Sequence, residues 1–206
     1  NGLAGIGDVS ALNTPVTITG LPAGLYTFDI KDGFGNDLIL TETVTAPPAL
    51  ALSLEAIDYN GYTISCPGAF DGQVMALMQG GTPGYHYQWN TSDTLAQLMT
   101  LGSGLYSLTV SDAAGCTTTG VITLNEPAAL DCEVLFTDPG CEGSNSGMIH
   151  IVSTQGGAAP YQYAISGGQP GPSSIFDSLS EGVYTISITD ANGCSIDTTG
   201  LLTESV

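Results

Sequence analysis

Four of the five cysteines form two matching pairs in the sequence. Paired cysteines can form disulfides or bind a metal, and they are the residues of this chain best suited to chemistry. Cys66 and Cys116 bracket one stretch of chain, and Cys141 and Cys194 bracket a stretch of similar length further on. Metal binding is the alternative, but the sequence has no Cys-x-x-Cys motif and no cluster of Cys and His. We therefore predict two disulfides, Cys66 to Cys116 and Cys141 to Cys194.

The fifth cysteine, Cys132, has no matching cysteine elsewhere in the chain. An odd cysteine is either a free thiol or a partner in an additional bond. We predict a buried free thiol near the start of a strand. The alternatives are an intermolecular disulfide and a local pair with Cys141.

Acidic residues recur at one position, where Asp32, Asp112 and Asp190 each precede a glycine-containing turn. A calcium site needs several oxygens converging at close spacing, and no D-x-[DN]-x-[DN]-G loop is present. We predict that these aspartates accept backbone hydrogen bonds within their turns, and that the chain holds no metal or cofactor. Calcium at a junction between units is the alternative. The acidic residues that could bind calcium at such a junction are Asp58, Asp131 and Glu133.

Tyr85, Tyr87 and Trp89 alternate along the chain, so in a strand they share one face. If exposed, they would form a platform for sugar rings. If buried, Trp89 would be the core tryptophan of a sandwich. The later counterpart of Trp89 is Ile165, which suits a core position better than a ligand site.

Charge and motif content exclude several functional classes. The chain has a single Lys or Arg against 20 acidic residues, a net charge of -19. That balance excludes a nucleic-acid surface and a polybasic membrane patch, and no apolar run is long enough to span a bilayer. His86 and His150 are the two histidines, and neither a G-x-S-x-G nor an H-E-x-x-H motif is present. We predict that the protein is not an enzyme.

The elements that must position these residues repeat along the chain. Gly80-Gly81 corresponds to Gly156-Gly157, and Asp112–Cys116 corresponds to Asp190–Cys194. A third copy has only the second half of the pattern, with Asn36 in the place of the cysteine. Proline-rich linkers separate the copies. The layout is a half unit at 1–49 and full units at 50–128 and 129–206.

Each full unit reads as short strands between turn signals. Polar and apolar residues alternate in 106–111 and again in 184–189, which is the period of a half-buried strand. Residues 73–78, 85–89 and 117–124 also read as strands, and 94–101 is ambiguous. Many short strands in units this small predict an all-β fold of tandem immunoglobulin-like antiparallel β-sandwich repeats.

These motifs together resemble a known family. Cys-x-Gly is followed by Gly-Gly-x-x-x-Tyr-x-Tyr-x-Trp and then by Gly-x-Tyr-x-x-x-Val-x-Asp-x-x-Gly-Cys. This series resembles the SprB repeat of large Bacteroidota surface adhesins, including the gliding-motility adhesin. The resemblance implies type IX secretion, an extracellular cell-surface location and an adhesive or filament-forming role. The runner-up function is a carbohydrate-binding module of a secreted protein.

The resemblance also implies partners and modifications. Neighbouring repeats or identical subunits are the expected partners, with surface glycans as a further one. Bacteroidota attach glycans to Ser or Thr after Asp, and this motif is met at Thr94, Ser178 and Thr198. The chain begins at Asn1, so we expect a processed chain or a piece of a longer one. The half unit is then completed in cis, by strand complementation from another subunit, or not at all if it is a divergent unit.

Overall fold

The computed structural model describes residues 17–140 and 143–204, which form 14 antiparallel strands and no helix. The predicted all-β class is confirmed. None of these residues belongs to a helix with the length and apolarity that crossing a membrane requires. The contacts divide the chain into two compact units, Asn1–Pro48 and Ala49–Val206, which are described separately.

The described part of the first unit is a single β-hairpin. Strand β1 (Gly24–Lys31) pairs with β2 (Asp37–Val44) along its whole length, from Gly24 opposite Val44 to Lys31 opposite Asp37. Tyr26 donates a hydrogen bond of 2.7 Å from its hydroxyl to the carbonyl oxygen of Pro22. This bond fixes the entry to β1.

The second unit contains two sandwiches, each made of two three-stranded sheets. In the first sandwich one sheet has the order β3-β4-β6 and the other has the order β5-β7-β8. The strands are β3 (Ala51–Ala56), β4 (Gly72–Gln79), β5 (His86–Trp89), β6 (Gln97–Leu101), β7 (Gly104–Ser111) and β8 (Thr117–Leu124).

The second sandwich repeats this topology, with sheets in the orders β9-β10-β12 and β11-β13-β14. Its strands are β9 (Asp131–Thr137), β10 (Gly147–Gln155), β11 (Gln162–Ile165), β12 (Ile175–Leu179), β13 (Gly182–Thr189) and β14 (Ser195–Leu202). The shared strand order confirms tandem immunoglobulin-like sandwiches as the fold class.

Each sandwich has its own hydrophobic core, built by the alternation seen in the sequence. Leu108 and Val110 on β7 are buried in the first core, while Thr109 between them faces outward. Ile186 and Ile188 on β13 take the same places in the second core. Burying one such side chain contributes about 1.5–3 kcal/mol, so each sheet is held mainly by its inward face.

Candidate functional site: the junction between the two sandwiches

A disulfide joins the two sandwiches and corrects the predicted pairing. Cys66 of the first sandwich is bonded to Cys194 of the second, with 5.6 Å between their Cα atoms and a sequence separation of 128. The predicted bonds Cys66–Cys116 and Cys141–Cys194 therefore do not form. Cys141 itself lies outside the described residues.

The length of strand β8 explains why Cys66 does not reach Cys116. Cys116 immediately precedes β8, whereas the loop that carries Cys66 lies against the other end of β8, where Ile64 N donates to Asn125 O (3.1 Å). An eight-residue strand spans about 26 Å, and a disulfide tolerates at most about 7 Å between Cα atoms. The two cysteines of one repeat are thus at opposite ends of the sandwich.

Asn192 is the centre of the hydrogen bonds at the junction. Its side-chain nitrogen donates to the carbonyl oxygens of Tyr59 (3.2 Å) and Ser65 (3.0 Å). Its side-chain oxygen accepts from Asn60 Nδ2 at 2.6 Å. One side chain of the second sandwich therefore satisfies three polar groups of the first.

A small hairpin in the first sandwich supplies two of these groups. Tyr59 and Tyr62 pair across a tight turn in which Asn60 (φ 51°) and Gly61 (φ 91°) are both left-handed. This is the conformation that Asn-Gly favours in two-residue hairpins. Asp58 stabilises the turn, because its carboxylate accepts from Gly61 N at 3.1 Å.

The turn that carries Cys194 is held rigid by a buried carboxylate. Asp190 Oδ1 accepts from the backbone N–H groups of Asn192 and Cys194, each at 2.9 Å, and its Oδ2 accepts from Ala158 N at 2.8 Å. A Cβ added at Gly157 would lie 2.6 Å from Asp190 Oδ2, and Gly157 has a φ of 58°. The Gly-Gly motif is therefore needed for this close approach.

The same turn occurs in the first sandwich around Asp112. Asp112 Oδ1 accepts from Ala114 N (3.0 Å) and Cys116 N (2.8 Å), and Oδ2 accepts from Thr82 N (2.8 Å). Backbone N–H groups that donate to the Asp112 carboxylate hold its pKa below the ordinary value of 3.8, although desolvation opposes this effect. The largest contribution comes from the N–H of Thr82, followed by those of Cys116, Ala114 and Gly115. These bonds match the predicted role of the recurring aspartates.

In the first unit the turn has an asparagine where the sandwiches have a cysteine. Asp32 Oδ1 accepts from Phe34 N and Asn36 N, both at 2.8 Å, and Asn36 Nδ2 donates to Asp32 Oδ2 at 2.7 Å. The Asn36 side chain is the largest cause of the lowered pKa of Asp32. Asn36 therefore serves its own turn and cannot form a disulfide.

The three aromatic side chains pack in the core, which is the position that the sequence favoured for them, rather than forming the exposed platform that was the alternative. Trp89 is only 2% exposed, and its Nε1 donates to Leu95 O at 2.9 Å. Tyr85 and Tyr87 pack against the same core, and the Tyr85 hydroxyl donates to Gly80 O at 2.6 Å. A sugar ring therefore has no access to Trp89, and the three side chains do not form a shared exposed platform.

A shallow depression of about 650 Å³ lies beside this strand. Its lining is formed by the partly exposed Tyr85 and Tyr87 together with polar residues, which are His86, Gln88, Thr94, Thr109, Ser111 and Thr117. Among the described residues, no buried side-chain nitrogen or oxygen is without a hydrogen-bond partner. The depression therefore lacks an unpartnered buried group that would point to a ligand.

The remaining candidate residues lie apart from one another. Cys132, on β9, forms no disulfide and is half-buried, and its pKa is raised by desolvation and by the negative charge of Asp131. Thr94 and Ser178 are exposed and accessible to a glycan, whereas Thr198 is half-buried on the inner side of β14.

The acids suggested for calcium are not gathered into one site. Asp58 accepts from its own hairpin, while Asp131 and Glu133 lie on the exposed side of β9. No group of three or more His, Cys, Asp or Glu within 17–140 and 143–204 is placed to hold a metal ion. Calcium at a junction stays the alternative to the prediction that the chain holds no metal.

The sequence offered one signal for the junction that was missed. Asn192 corresponds to Ala114 in the first sandwich, and residues 59–63 have no counterpart between Asp138 and Pro139. Both departures from the repeat lie at the junction. Comparing the repeats for differences, as well as for shared positions, would have identified it.

Comparisons with known proteins agree with the motifs of the sequence. Residues 64–94 and 136–170 match the SprB repeat. A search of curated proteins found no match.

Three similar solved structures share little sequence with this chain. The N-terminal eight Ig domains of Down Syndrome Cell Adhesion Molecule are 11% identical, with a TM-score of 0.43; the match covers 89% of this chain and 28% of that one. Murine CEACAM1b is 11% identical, with a TM-score of 0.29 and coverage of 75% and 100%. Cadherin domains 1–5 of Protocadherin Gamma B2 are 12% identical, with a TM-score of 0.28 and coverage of 91% and 52%.

Proposed function

We propose that this chain, which carries the SprB repeat at two segments, is a non-enzymatic extracellular part of a bacterial cell-surface adhesin or filament. Its sandwiches serve as building blocks that set the reach and stiffness of the assembly. Adhesion comes from the tandem display of such blocks or from further domains of the same protein. Export through the type IX system and a role in gliding motility belong to this proposal as implications of the family.

The observation that carries the proposal is the covalent junction between successive repeats. Cys66 and Cys194 close a loop of 128 residues, which in the chain-entropy model contributes about 4–5 kcal/mol. Such bonds persist in oxidising surroundings, as outside the cell. Asn192 adds hydrogen bonds between the two sandwiches next to this disulfide. A junction of this kind restrains the two sandwiches, as a surface structure under mechanical load requires.

The charge of the chain fits an exposed location. With a net charge of -19, neighbouring molecules repel one another, which favours solubility and an extended arrangement. Trypsin-like proteases have a single basic residue to recognise, Lys31. Both properties suit a protein that faces the surroundings of a cell.

The first unit supports the proposed partners. On the inward side of its hairpin, Ile30 is 42% exposed and Leu40 is 45% exposed. At the position of Ile30, the sandwiches have Val110 and Ile188, which are fully buried under the facing sheet. We propose that strands of a neighbouring repeat or an identical subunit cover this hairpin, as β3, β4 and β6 cover β7 and β8.

Cell-surface labelling tests the proposed function. Antibodies raised against the purified chain are applied to intact producing cells and to lysed cells. We expect labelling of intact cells, along with reduced attachment to surfaces when the gene is deleted. Labelling that appears only after lysis, or a deletion strain that attaches like the parent strain, would contradict the proposal.

The carbohydrate-binding alternative now depends on the outer depression, since Trp89 is buried. A glycan array probed with the purified chain tests it, with His86→Ala as the variant. Binding that the variant abolishes would favour the alternative. Our proposal expects no binding at this face.

A further inference from the structure

Both asparagines that meet at the junction are followed by glycine. The sequence has three Asn-Gly dipeptides, of which Asn60-Gly61 and Asn192-Gly193 are in contact, because Asn60 Nδ2 donates to Asn192 Oδ1 at 2.6 Å. The dipeptide at 1–2 lies outside the described residues. Asparagine is a chemically labile residue. A following glycine favours loss of the side-chain amide, because glycine has no Cβ to obstruct attack by its own backbone nitrogen.

Asn60 is open to this reaction in the folded chain. Asn60 and Gly61 are both exposed, and a Cβ added at Gly61 would meet no other atom within 4 Å. Among the described residues, the side chain of Asn60 forms a single hydrogen bond, the one to Asn192. Breaking that bond frees the side-chain carbonyl carbon of Asn60 for attack.

Asp58 places a base on the nitrogen that must react. Its Oδ1 accepts from Gly61 N at 3.1 Å, which is within the reach of a general base. The carboxylate draws the proton of this N–H toward itself and so raises the electron density on the attacking nitrogen. Residues 58–61 therefore bring together a base, an amide group and a nucleophile.

Asn192 has the same dipeptide in a protected setting. Its side chain is half-buried, and its Nδ2 donates to Tyr59 O and Ser65 O in addition to the bond that its Oδ1 accepts. Gly193 N donates at 3.1 Å to the backbone carbonyl oxygen of Asp190, which is a far weaker base than a carboxylate. Three side-chain hydrogen bonds must break before Asn192 reacts, against one in the first sandwich.

We propose that residues 58–61 are a self-modifying site, at which Asn60 is converted to aspartate or isoaspartate while Asn192 stays intact. Gly61 N attacks Asn60 Cγ and forms a C–N bond, and its proton passes through the Asp58 carboxylate to Nδ2. The bond from Cγ to Nδ2 then breaks, and ammonia leaves. Water opens the resulting cyclic imide at one of its two carbonyl groups.

The net reaction consumes one water and releases one ammonia for each asparagine converted, so it needs no oxidant and no cofactor. It goes beyond the proposed function, because it proceeds in water whether or not the chain is adhesive.

The product weakens the junction between the sandwiches. When the amide becomes a carboxylate, the contact of 2.6 Å in the parent chain brings two oxygen acceptors together. Asn192 cannot turn its Nδ2 toward the new carboxylate without giving up the carbonyl oxygens of Tyr59 and Ser65. Isoaspartate also lengthens the backbone of a two-residue turn. At least one hydrogen bond beside the disulfide is therefore lost.

The first test follows both asparagines in the full chain during incubation in a mildly alkaline buffer. Chymotryptic peptides are analysed by mass spectrometry, and the released ammonia is measured in parallel. In the native protein we expect Asn60 to convert about tenfold faster than Asn192, since two further hydrogen bonds hold the second site. In guanidinium chloride with a reductant, the two should convert at similar rates. Equal rates in the native protein, or an Asn60 that converts only in the unfolded chain, would overturn the proposal.

Asp58→Asn tests the base, because the new side chain keeps an oxygen acceptor for Gly61 N but loses the carboxylate. We expect the conversion of Asn60 to slow about fivefold or more, while that of Asn192 keeps its rate. Asp177→Asn removes an exposed carboxylate from β12 and is the control. An unchanged rate at Asn60 would overturn the assignment of Asp58 as the base.

Asn60→Asp reproduces the product and tests its effect. In glutathione redox buffers, we expect the equilibrium between the Cys66–Cys194 bond and the dithiol form to shift about threefold toward the dithiol, as the loss of one hydrogen bond requires. Asn145→Asp adds the same charge at another exposed asparagine and is the matched control. Equal equilibria in the two variants would overturn the proposed weakening of the junction.

Discussion

The side-chain nitrogen of Asn60 lies 2.6 Å from the side-chain oxygen of Asn192, although 132 positions separate the two residues in the sequence. The contact joins the inserted hairpin of the first sandwich to the cysteine turn of the second. Asn60 and Asn192 both lie where the two sandwiches differ from the shared repeat pattern, and the hydrogen bond joins these two positions. The junction is thus specified by what differs between the repeats as well as by what they share.

Asn192→Ala should weaken the junction. The variant removes three hydrogen bonds, each of which contributes about 0.5–1.5 kcal/mol net. We expect the equilibrium between the Cys66–Cys194 bond and the dithiol form to shift about tenfold or more toward the dithiol, as measured in glutathione redox buffers. Asn36→Ala, in the equivalent turn of the first unit, is the control. An unchanged equilibrium for Asn192→Ala would show that the asparagine does not support the bond.

Cys194→Ser should lower the free energy of unfolding by about 4–5 kcal/mol, because the closed loop of 128 residues becomes open. Urea unfolding followed by circular dichroism measures this loss. Cys116→Ser is the matched control and should leave the unfolding midpoint in place, since Cys116 is exposed and unbonded in this chain. Equal losses in both variants would contradict the Cys66–Cys194 pairing.

Acid should destabilise the first sandwich through Asp112. The pKa of this carboxyl is lower in the folded chain than its ordinary value of 3.8, so the ionised form stabilises the fold. That contribution is complete above the ordinary pKa and is lost as pH falls through the lower folded pKa.

Urea midpoints measured from neutral pH to about pH 2 test this prediction. Asp112→Asn should be less stable than the parent at neutral pH and should lose less stability in acid. Asp177→Asn changes an exposed carboxyl whose side-chain partner is the neighbouring Ser178, and it is the control. Parallel acid profiles for the parent and Asp112→Asn would refute the assignment.

Trp89→Ala should cost about 3–5 kcal/mol, because a fully buried aromatic ring leaves a cavity and its hydrogen bond to Leu95 is lost. In the parent chain, the fluorescence of this single tryptophan should remain blue-shifted until the first sandwich unfolds. Sugars should not alter that fluorescence. A red-shifted emission in the native protein, or quenching by sugars, would place Trp89 at the surface.

The strands were largely predictable because one face of each is buried. Alternating polar and apolar residues predicted strands at 106–111 and 184–189, and these segments lie within β7 and β13. The segment 117–124 coincides with β8. The ambiguous segment 94–101 contains β6, which pairs with β4 through a register shift. Such an irregular edge strand has no clear period in its sequence.

The disulfide pairing was not predictable from the repeat pattern. Each unit has one loop cysteine and one turn cysteine, so bonds within units and bonds between units satisfy the same spacing. The choice depends on which end of β8 each cysteine occupies, and that is a property of the assembled sandwich. The Asn60-Gly61 hairpin could have been predicted, since this dipeptide is a strong turn signal.

The bond between Cys66 and Cys194 also determines which part of the chain is extended when its two ends are pulled apart. The tension passes from Cys66 directly to Cys194, so the residues between them lie outside the loaded path. At about 3.4 Å for each residue of extended chain, the segment between the two cysteines has a contour length of roughly 430 Å. This length cannot be extended until the disulfide is reduced. The redox state of the surroundings thus controls how far the molecule can stretch before it breaks.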